Sequence, residues 1–330
     1  MEYRRLGRAG LKLSELSYGS WVTFSFQLDA SAAMDCIRTA YDAGINFFDN
    51  AEVYAAGQSE LLMGQALAKL GFARDSYCVS SKVYWGGDLP TQRGLHRKHV
   101  RDACHAALRR LQVDYLDLFF CHRPDLETPI EETVRAMDEL VRQGKVLYWG
   151  TSEWSAEQIQ QAHGTARQYG LVPPSMEQPE YNMFSRDRVE REFHRLYAEI
   201  GLGTTTWSPL ASGILTGKYG DGVPAGSRMS LEQYAWLKER VLDGDSGREK
   251  LDKAARLARV AREIGMTPAQ LAIAWCLENP NVSTVILGAS TTAQLTENIG
   301  ALDRRSALTD AVKTRIEEIL DNRPELPRQY

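Results

Sequence analysis

The sequence predicts an α/β protein: a closed (β/α)8 TIM barrel with an N-terminal hairpin, plus extra helices and a long loop after its seventh strand. Three observations predict it. Eight short apolar runs of β type alternate with helical patterns along the chain. Several of these runs are continuously apolar, as strands of a parallel sheet covered on both faces must be. Four polar residues, Asp49, Tyr54, Lys82 and His122, stand at or just after the ends of consecutive runs. They can meet only if those strands lie parallel in one sheet. A doubly wound sheet needs fewer units and a break between two halves, and the chain has no such break.

The hairpin comes first, as YRRLG, RAG and LKLS. LSYGSW then precedes SAAMDCIRTAYDAG, INFFDNA precedes SELLMGQALAKL, YCVSSKV precedes HVRDACHAALRRL, and YLDLFFCH precedes IEETVRAMDELVRQG. VLYWGTS precedes SAEQIQQAHGTARQYG, and SMEQPEY precedes RVEREFHRLYAEIG. LGTTTWSPL opens a long connection that ends in EKLDKAARLARVAREIG, and STVILGAS with TAQLTENIG completes the eight units. Thr128 before Pro129, with Glu131 following, predicts a capping box, and Ser155 with Gln158 and Thr267 with Gln270 repeat the device. Gly44, Gly144, Gly170 and Gly201 stand where helices end in a left-handed residue. Residues 208–248 exceed an ordinary barrel loop and predict a lid or clamp. Residues 308–330 predict one more helix and a polar tail, and residues 1–330 are expected to form a single domain.

Composition excludes several classes of function. With 43% hydrophobic and 25% charged residues and a net charge of −4, the chain has no broad attraction for nucleic acid or an anionic membrane. No run reaches eighteen apolar residues, so no membrane span is expected. MEYRRLGRAG carries no apolar signal region. Five cysteines without a CxxC pair are expected to be buried and reduced, which points to the cytoplasm. Neither histidine nor cysteine spacing suggests a metal site.

In such a barrel, the C-terminal ends of the strands form the active face. Asp49 and Tyr54 follow the second strand, Lys82 ends the third and His122 ends the fourth. Alone, each has an ordinary role as a loop, rim or solvated residue. Together they provide a phenol, an ammonium to favour its ionised form, a carboxylate to hold that ammonium, and an imidazole to orient a substrate oxygen. The expected effect of Lys82 is a lowered Tyr54 pKa, and the set suits carbonyl reduction. Lys82 as a Schiff-base nucleophile is a competing reading. Trp21, Phe24, Tyr84 and Trp85, with Tyr54 and His122, are expected to wall a substrate pocket. No G-x-G-x-x-G follows a strand, and the stretch from Ser212 to Tyr219 lacks the residues of a P-loop. Gly288-Ala-Ser290, opening the last helix, stands where a barrel holds a phosphate.

The chain resembles the aldo-keto reductases over nearly its whole length. Within them it is most similar to the group containing voltage-gated potassium channel β-subunits and their bacterial relatives. The residues that carry the resemblance are Gly44-Ile-Asn-Phe-Phe-Asp49-Asn-Ala-Glu-Val-Tyr54, Ser81 to Gly87, Arg123-Pro124-Asp125, Tyr148 to Ser152, Gln178-Pro-Glu-Tyr181, Trp207-Ser-Pro-Leu-Ala211, Leu287 to Ser290, and Gln294-Leu-Thr-Glu297-Asn298. The resemblance implies NADP(H)-dependent reduction of aldehydes or ketones, with Tyr54 as general acid, Lys82 and Asp49 tuning it, and His122 orienting the carbonyl. It implies that Gly19, Ser20, Trp21 and Asp49 flank the nicotinamide, that Ser152 and Gln178 bind its carboxamide, and that Tyr181 stacks beneath it. Trp207, Ser208, Pro209, Leu210 and Ala211 would run along the ribose and pyrophosphate, with Lys218 and Arg228 completing the clamp. Gly288, Ser290, Gln294, Glu297 and Asn298 would take the adenosine end. The channel subunits carry Asn where this chain has His122, a basic residue at Glu153, an aromatic at Gly226 and, in many members, an arginine at Gln294. The resemblance also implies a homo-oligomer, a tetramer or a weaker assembly, and leaves open a channel partner and a role as an NADPH redox sensor.

Overall fold

Eight parallel strands close on themselves: β3 (Leu16–Gly19), β4 (Phe47–Asp49), β5 (Cys78–Val83), β6 (Leu116–Cys121), β7 (Val146–Thr151), β8 (Met176–Glu177), β9 (Gly203–Thr206) and β10 (Thr284–Leu287), with β10 pairing β3. They follow an antiparallel hairpin of β1 (Tyr3–Arg5) and β2 (Lys12–Ser14). This architecture comes from a computed structural model that describes residues 1–21, 30–220, 222–225 and 227–326. The predicted barrel and hairpin are both present. By contacts, the chain divides into two compact units.

The first unit comprises Met1–Pro179, Glu192–Trp207 and Asn281–Leu295, and holds the whole barrel. Every residue of β3 to β6 and of β8 to β10 is buried, the condition that produced their unbroken apolar runs. Alternate residues of a strand face the same side. Phe47, Cys78, Leu118, Phe120 and Met176 point into the barrel and pack with Leu6 and Leu13 of the hairpin. The same phase, carried two residues at a time, aims Asp49, Ser80, Lys82, His122 and Gln178 into the barrel toward its C-terminal end.

Six helices belong to this unit: α1 (Ala30–Asp42), α2 (Gln58–Leu70), α3 (Arg97–Leu111), α4 (Ile130–Arg142), α5 (Ala156–Tyr169) and α6 (His194–Glu199). Ser155 and Gln158 cap α5 reciprocally, as expected. The predicted cap at Thr128 is not made. Its hydroxyl donates to Asp125 Oδ2 at 2.7 Å, and α4 begins after Pro129 with no side-chain cap. The single helix expected over 188–201 is a wide turn at Arg188–Glu192 followed by the short α6.

The second unit comprises Glu180–Arg191, Ser208–Pro280 and Thr296–Tyr330. It contains α7 (Ala235–Val241), α8 (Gly244–Glu263), α9 (Pro268–Leu277) and α11 (Asp310–Leu320). Between the last two lies α10 (Thr292–Ile299), which begins in the first unit and ends in the second. The connection expected to be a lid is built from short turns at Ala211–Thr216, Arg228–Ser230 and Glu232–Tyr234, together with α7. α9, announced in the sequence only by its Thr267–Gln270 capping box, is buried at every position. A helix apolar on all sides has no amphipathic period to detect. Around Arg186, which is 5% exposed, Glu190 and Glu317 form ion pairs at 2.9 and 2.7 Å, so α11 is held by a buried cation. Among the described residues, no helix is long and apolar enough to cross a membrane.

Candidate active site

Lys82 is fully buried at the end of β5, and its ammonium has three acceptors. Asp49 Oδ2 lies at 2.6 Å, the Asn50 carbonyl oxygen at 2.8 Å and Tyr54 Oη at 3.1 Å. An ammonium has three donors, so the group is saturated. Asp49, 3% exposed, accepts in turn from Ser80 Oγ at 2.7 Å and Gln178 Nε2 at 3.2 Å. Burial alone would lower the Lys82 pKa, but Asp49 and then Tyr54 override it, and the net shift is upward.

Tyr54 behaves differently from the expectation. Burial pushes its pKa up, Lys82 pulls it down and Asp49 pushes it up again, for a net rise. The neighbouring ammonium does not lower the phenol below its ordinary value, because burial outweighs it and Asp49 adds to the rise. The phenol therefore keeps its proton at neutral pH and remains a donor.

His122 is 6% exposed, and its backbone N–H donates to the Val83 carbonyl at 3.0 Å. Its ring lies 5.8 Å from the Tyr54 ring and 5.1 Å from the Trp85 ring, edge-on to both. Burial first, then Lys82 and Arg123, hold its pKa well below the ordinary histidine range, so the imidazole is neutral. Its buried Nδ1 has no partner among the described residues. The four residues named from the sequence lie together, and the structure adds Ser80, Asn50 and Arg123, which the sequence reading did not name as site residues. The period-two phase that places Lys82 also places Ser80, and that signal was available.

The turn after Tyr54 is unusual. Ala55 and Ala56 both adopt left-handed backbone, with φ of 49° and 51°. Gly57 follows at φ 85°, where a Cβ would come within 2.9 Å of Arg110 Nε. Arg110 pairs at 2.6 Å with Glu60, and Glu60 also accepts from Ser81 Oγ at 2.6 Å, fixing the start of α2 to β5.

On the other side of Tyr54, Glu52 accepts from the Tyr84 backbone N–H at 2.7 Å and lies 3.4 Å from His99 Nε2. His99 Nδ1 is 2.8 Å from the Gly94 carbonyl oxygen. Burial lowers the His99 pKa, but Glu52 and Gly94 raise it more. A raised folded pKa adds stability that is fully present below the unfolded value of about 6.5 and is lost as pH rises through the folded value. The urea midpoint difference between wild type and His99→Gln is therefore expected to be largest below about pH 6.5 and to shrink as pH rises through the raised folded value. A difference that grew with pH would refute the pair.

The remaining first-unit candidates lie around the same strand ends. Ser20 donates from both N and Oγ to the Asp49 carbonyl oxygen, at 3.1 and 3.0 Å. Gly19 is confined, since a Cβ there would stand 2.6 Å from Ile286 Cγ2. Ser152 Oγ donates to the Gln178 carbonyl oxygen at 2.8 Å. The Gln178 amide nitrogen serves both Asp49 and Thr205. Trp207 directly follows β9, packs edge-on to Trp21 at 6.4 Å and donates from Nε1 to Glu153 at 3.0 Å, which gives the acidic residue at that position a role. The Tyr84 and Trp85 rings pack at 4.7 Å, and Phe24 lies outside the described residues. Gly288 is exposed, and Ser290 donates from N and Oγ to Gln294 Oε1, both at 3.0 Å.

Within the second unit, Tyr181 requires a correction. It is 2% exposed, its ring packs 5.2 Å from Trp275, and its hydroxyl donates to Glu190 at 2.8 Å. A ring packed in this way has no open face for a ligand. Ser208 and Ala211 adopt left-handed backbone around Pro209 and Leu210, and the Ser208 carbonyl accepts from Asn182 Nδ2 at 3.0 Å. Lys218 is exposed, with its ammonium 5.1 Å from the Tyr219 ring centroid. Glu297 is exposed and Asn298 buried. The Arg228 side chain and Gly226 lie outside the described residues.

Residues 15–321 match the model of the aldo/keto reductase family. The chain belongs to the aldo/keto reductase family. It is 51% identical to a probable voltage-gated potassium channel subunit beta of Arabidopsis thaliana, with 100% of each chain covered. A protein of the same description from Oryza sativa subsp. japonica is 52% identical over the same coverage. Family membership supports oxidoreductase chemistry acting on a small molecule. The closed barrel of this aldo/keto reductase, with its buried lysine and neighbouring phenol, is consistent with that chemistry.

Proposed function

We propose that the chain is an NADPH-dependent carbonyl reductase of the aldehyde reductase type, acting as one domain in the cytoplasm. The observation that carries this reading is the Lys82 ammonium, saturated between Asp49 and Tyr54 beside a neutral His122. The protonated phenol of Tyr54 gives its proton to the carbonyl oxygen of an aldehyde or ketone. As the phenolate forms, the ammonium already bonded to Tyr54 Oη stabilises it without reorganising. Asp49 keeps Lys82 charged and aligned. His122 donates one ring N–H to the same carbonyl oxygen and so orients it. When bound, NADPH supplies the hydride that the carbonyl carbon takes up.

The residues fit a nicotinamide dinucleotide. Gln178 has its amide nitrogen committed to protein acceptors, which leaves its oxygen for a carboxamide N–H. Gly19 keeps the strand end bare, and Trp207, partly exposed at the end of β9, takes over the stacking role first given to Tyr181. Lys218 and Arg228 are proposed for the phosphates, including a 2′-phosphate, with Ser208 to Ala211 along the pyrophosphate and Gly288, Ser290, Gln294, Glu297 and Asn298 at the adenosine. Fluorescence titration with NADPH and NADH tests this, with tighter binding of NADPH expected.

The names of the plant relatives, probable voltage-gated potassium channel subunits beta, favour a second reading, a channel-subunit-like protein. In this reading the chain is a tetramer that binds NADP(H) as a redox sensor and turns over slowly. His122 favours the first. His122→Asn is expected to lower aldehyde-dependent oxidation of NADPH by about ten- to a hundredfold while NADPH titrates as in wild type. Absence of turnover by the wild type across a broad aldehyde panel would favour the sensor. A Schiff base at Lys82 is disfavoured by its raised pKa, since an amine nucleophile must be free of its proton.

A further inference from the structure

Arg123 directly follows His122 and is half-buried. Its Nη1 donates to the His122 carbonyl oxygen at 2.5 Å and to Ser152 Oγ at 3.4 Å. Its Cζ stands 5.4 Å from the centroid of the Trp85 ring, the ring that packs against His122. The guanidinium is thus anchored on one edge and stacked on one face, with Nε and Nη2 still available as donors.

Its charge has no counterpart. Among the described residues, no carboxylate pairs with Arg123, whereas Arg4, Arg74 and Arg110, also half-buried in the same unit, pair with Glu15, Asp117 and Glu60. The nearest acidic residue in sequence, Asp125, accepts from the Leu95 and Glu127 backbone N–H groups and from Thr128. Lys82, by contrast, is paired with Asp49. Arg123 is a positive charge beside the phenol and the imidazole, and it is among the groups that hold His122 neutral and draw the Tyr54 pKa down. A partly desolvated arginine without a partner is costly to keep unless a ligand completes it, and its planar fork matches a carboxylate or a phosphate.

We propose that Arg123 is the specificity residue of this site, receiving the anionic group of a small aldehyde or ketone whose carbonyl is presented to Tyr54. The inference rests on the reductase reading and extends it to a substrate class, carbonyl compounds that carry a carboxylate or a phosphate.

Two matched pairs of substrates test it: 4-carboxybenzaldehyde against methyl 4-formylbenzoate, and glyceraldehyde 3-phosphate against glyceraldehyde. With the full-length protein and NADPH, the anionic member of at least one pair is expected to show a kcat/KM about tenfold or more higher, a margin that shrinks as salt is added. The pair showing the margin identifies the anion. Arg123→Met is expected to bring that ratio close to one, and Arg123→Lys to retain part of it for phosphate but little for carboxylate. A wild type without charge preference overturns the proposal. So does an Arg123→Met variant in which both members fall by the same factor, which is what a purely structural anchor of His122 and Trp85 would give. If no aldehyde is turned over at all, the reductase reading fails, and calorimetric titration of the NADPH complex with 4-carboxybenzaldehyde and glyceraldehyde 3-phosphate decides Arg123 separately. Binding of either that is lost in Arg123→Met supports the anion site, and binding that is absent or equal in both proteins overturns it.

Discussion

Replacing Tyr54 with phenylalanine is expected to lower kcat for aldehyde reduction by about a hundred- to ten-thousandfold, the range a positioned general acid contributes. NADPH binding is expected to stay within about threefold, because the ring, its edge contact with His122 and the buried Lys82–Asp49 pair all remain. Stopped-flow decay of NADPH absorbance separates the two effects. The pH profile provides a second check. A phenol whose pKa is raised above the ordinary value of about 10 stays protonated throughout the neutral range, so loss of the acid is expected only on a far alkaline limb. A rate that fell between about pH 7 and 9 through ionisation of Tyr54 would contradict the balance of burial and charge described above. Turnover retained by Tyr54→Phe would remove Tyr54 from its role as the acid.

Replacing Lys82 with methionine has the largest expected effect on stability. Asp49 would keep its bonds from Ser80 and Gln178 but would become an uncompensated charge at 3% exposure. Breaking one side of a buried pair costs about 3–5 kcal/mol. The double variant Asp49→Asn/Lys82→Met is expected to recover most of that loss, because the unpaired charge is gone. Urea melts of Lys82→Met, Asp49→Asn and the double variant measure the coupling, and a Lys82→Met variant as stable as wild type would refute it. Because the folded pKa of Lys82 is raised, its contribution is fully present below the unfolded lysine value of about 10.4 and is lost as pH climbs through the folded value.

The barrel was legible in the sequence because its strands are buried on both faces and its helices on one, and these conditions leave opposite apolar patterns. The tetrad was legible for a related reason. Residues two apart on a strand share a face, so Phe47 and Asp49, Cys78 and Lys82, and Phe120 and His122 each join a core side chain to a site side chain. Other features left no periodic trace. α9 is buried all round, and the cap predicted at Thr128 was lost to Asp125, an acceptor three residues away whose position only the fold defines. Tyr181 closes the predicted run SMEQPEY but lies past the short strand Met176–Glu177, and nothing in the local sequence reports that Glu190 and Trp275 pack against it. The upward shift of Tyr54 was equally hidden, since a sequence shows which charges are present but not how deeply the fold buries the phenol beside them.

Ala55 and Ala56, the two left-handed alanines behind Tyr54, have a consequence for directed evolution. Each holds a conformation that costs a non-glycine residue about 1–2 kcal/mol and that glycine adopts freely. A selection for heat resistance alone would favour glycine at both positions. The same changes would free the hinge that aims the phenol, so heat-selected lineages should drift toward slower enzymes unless turnover is selected alongside.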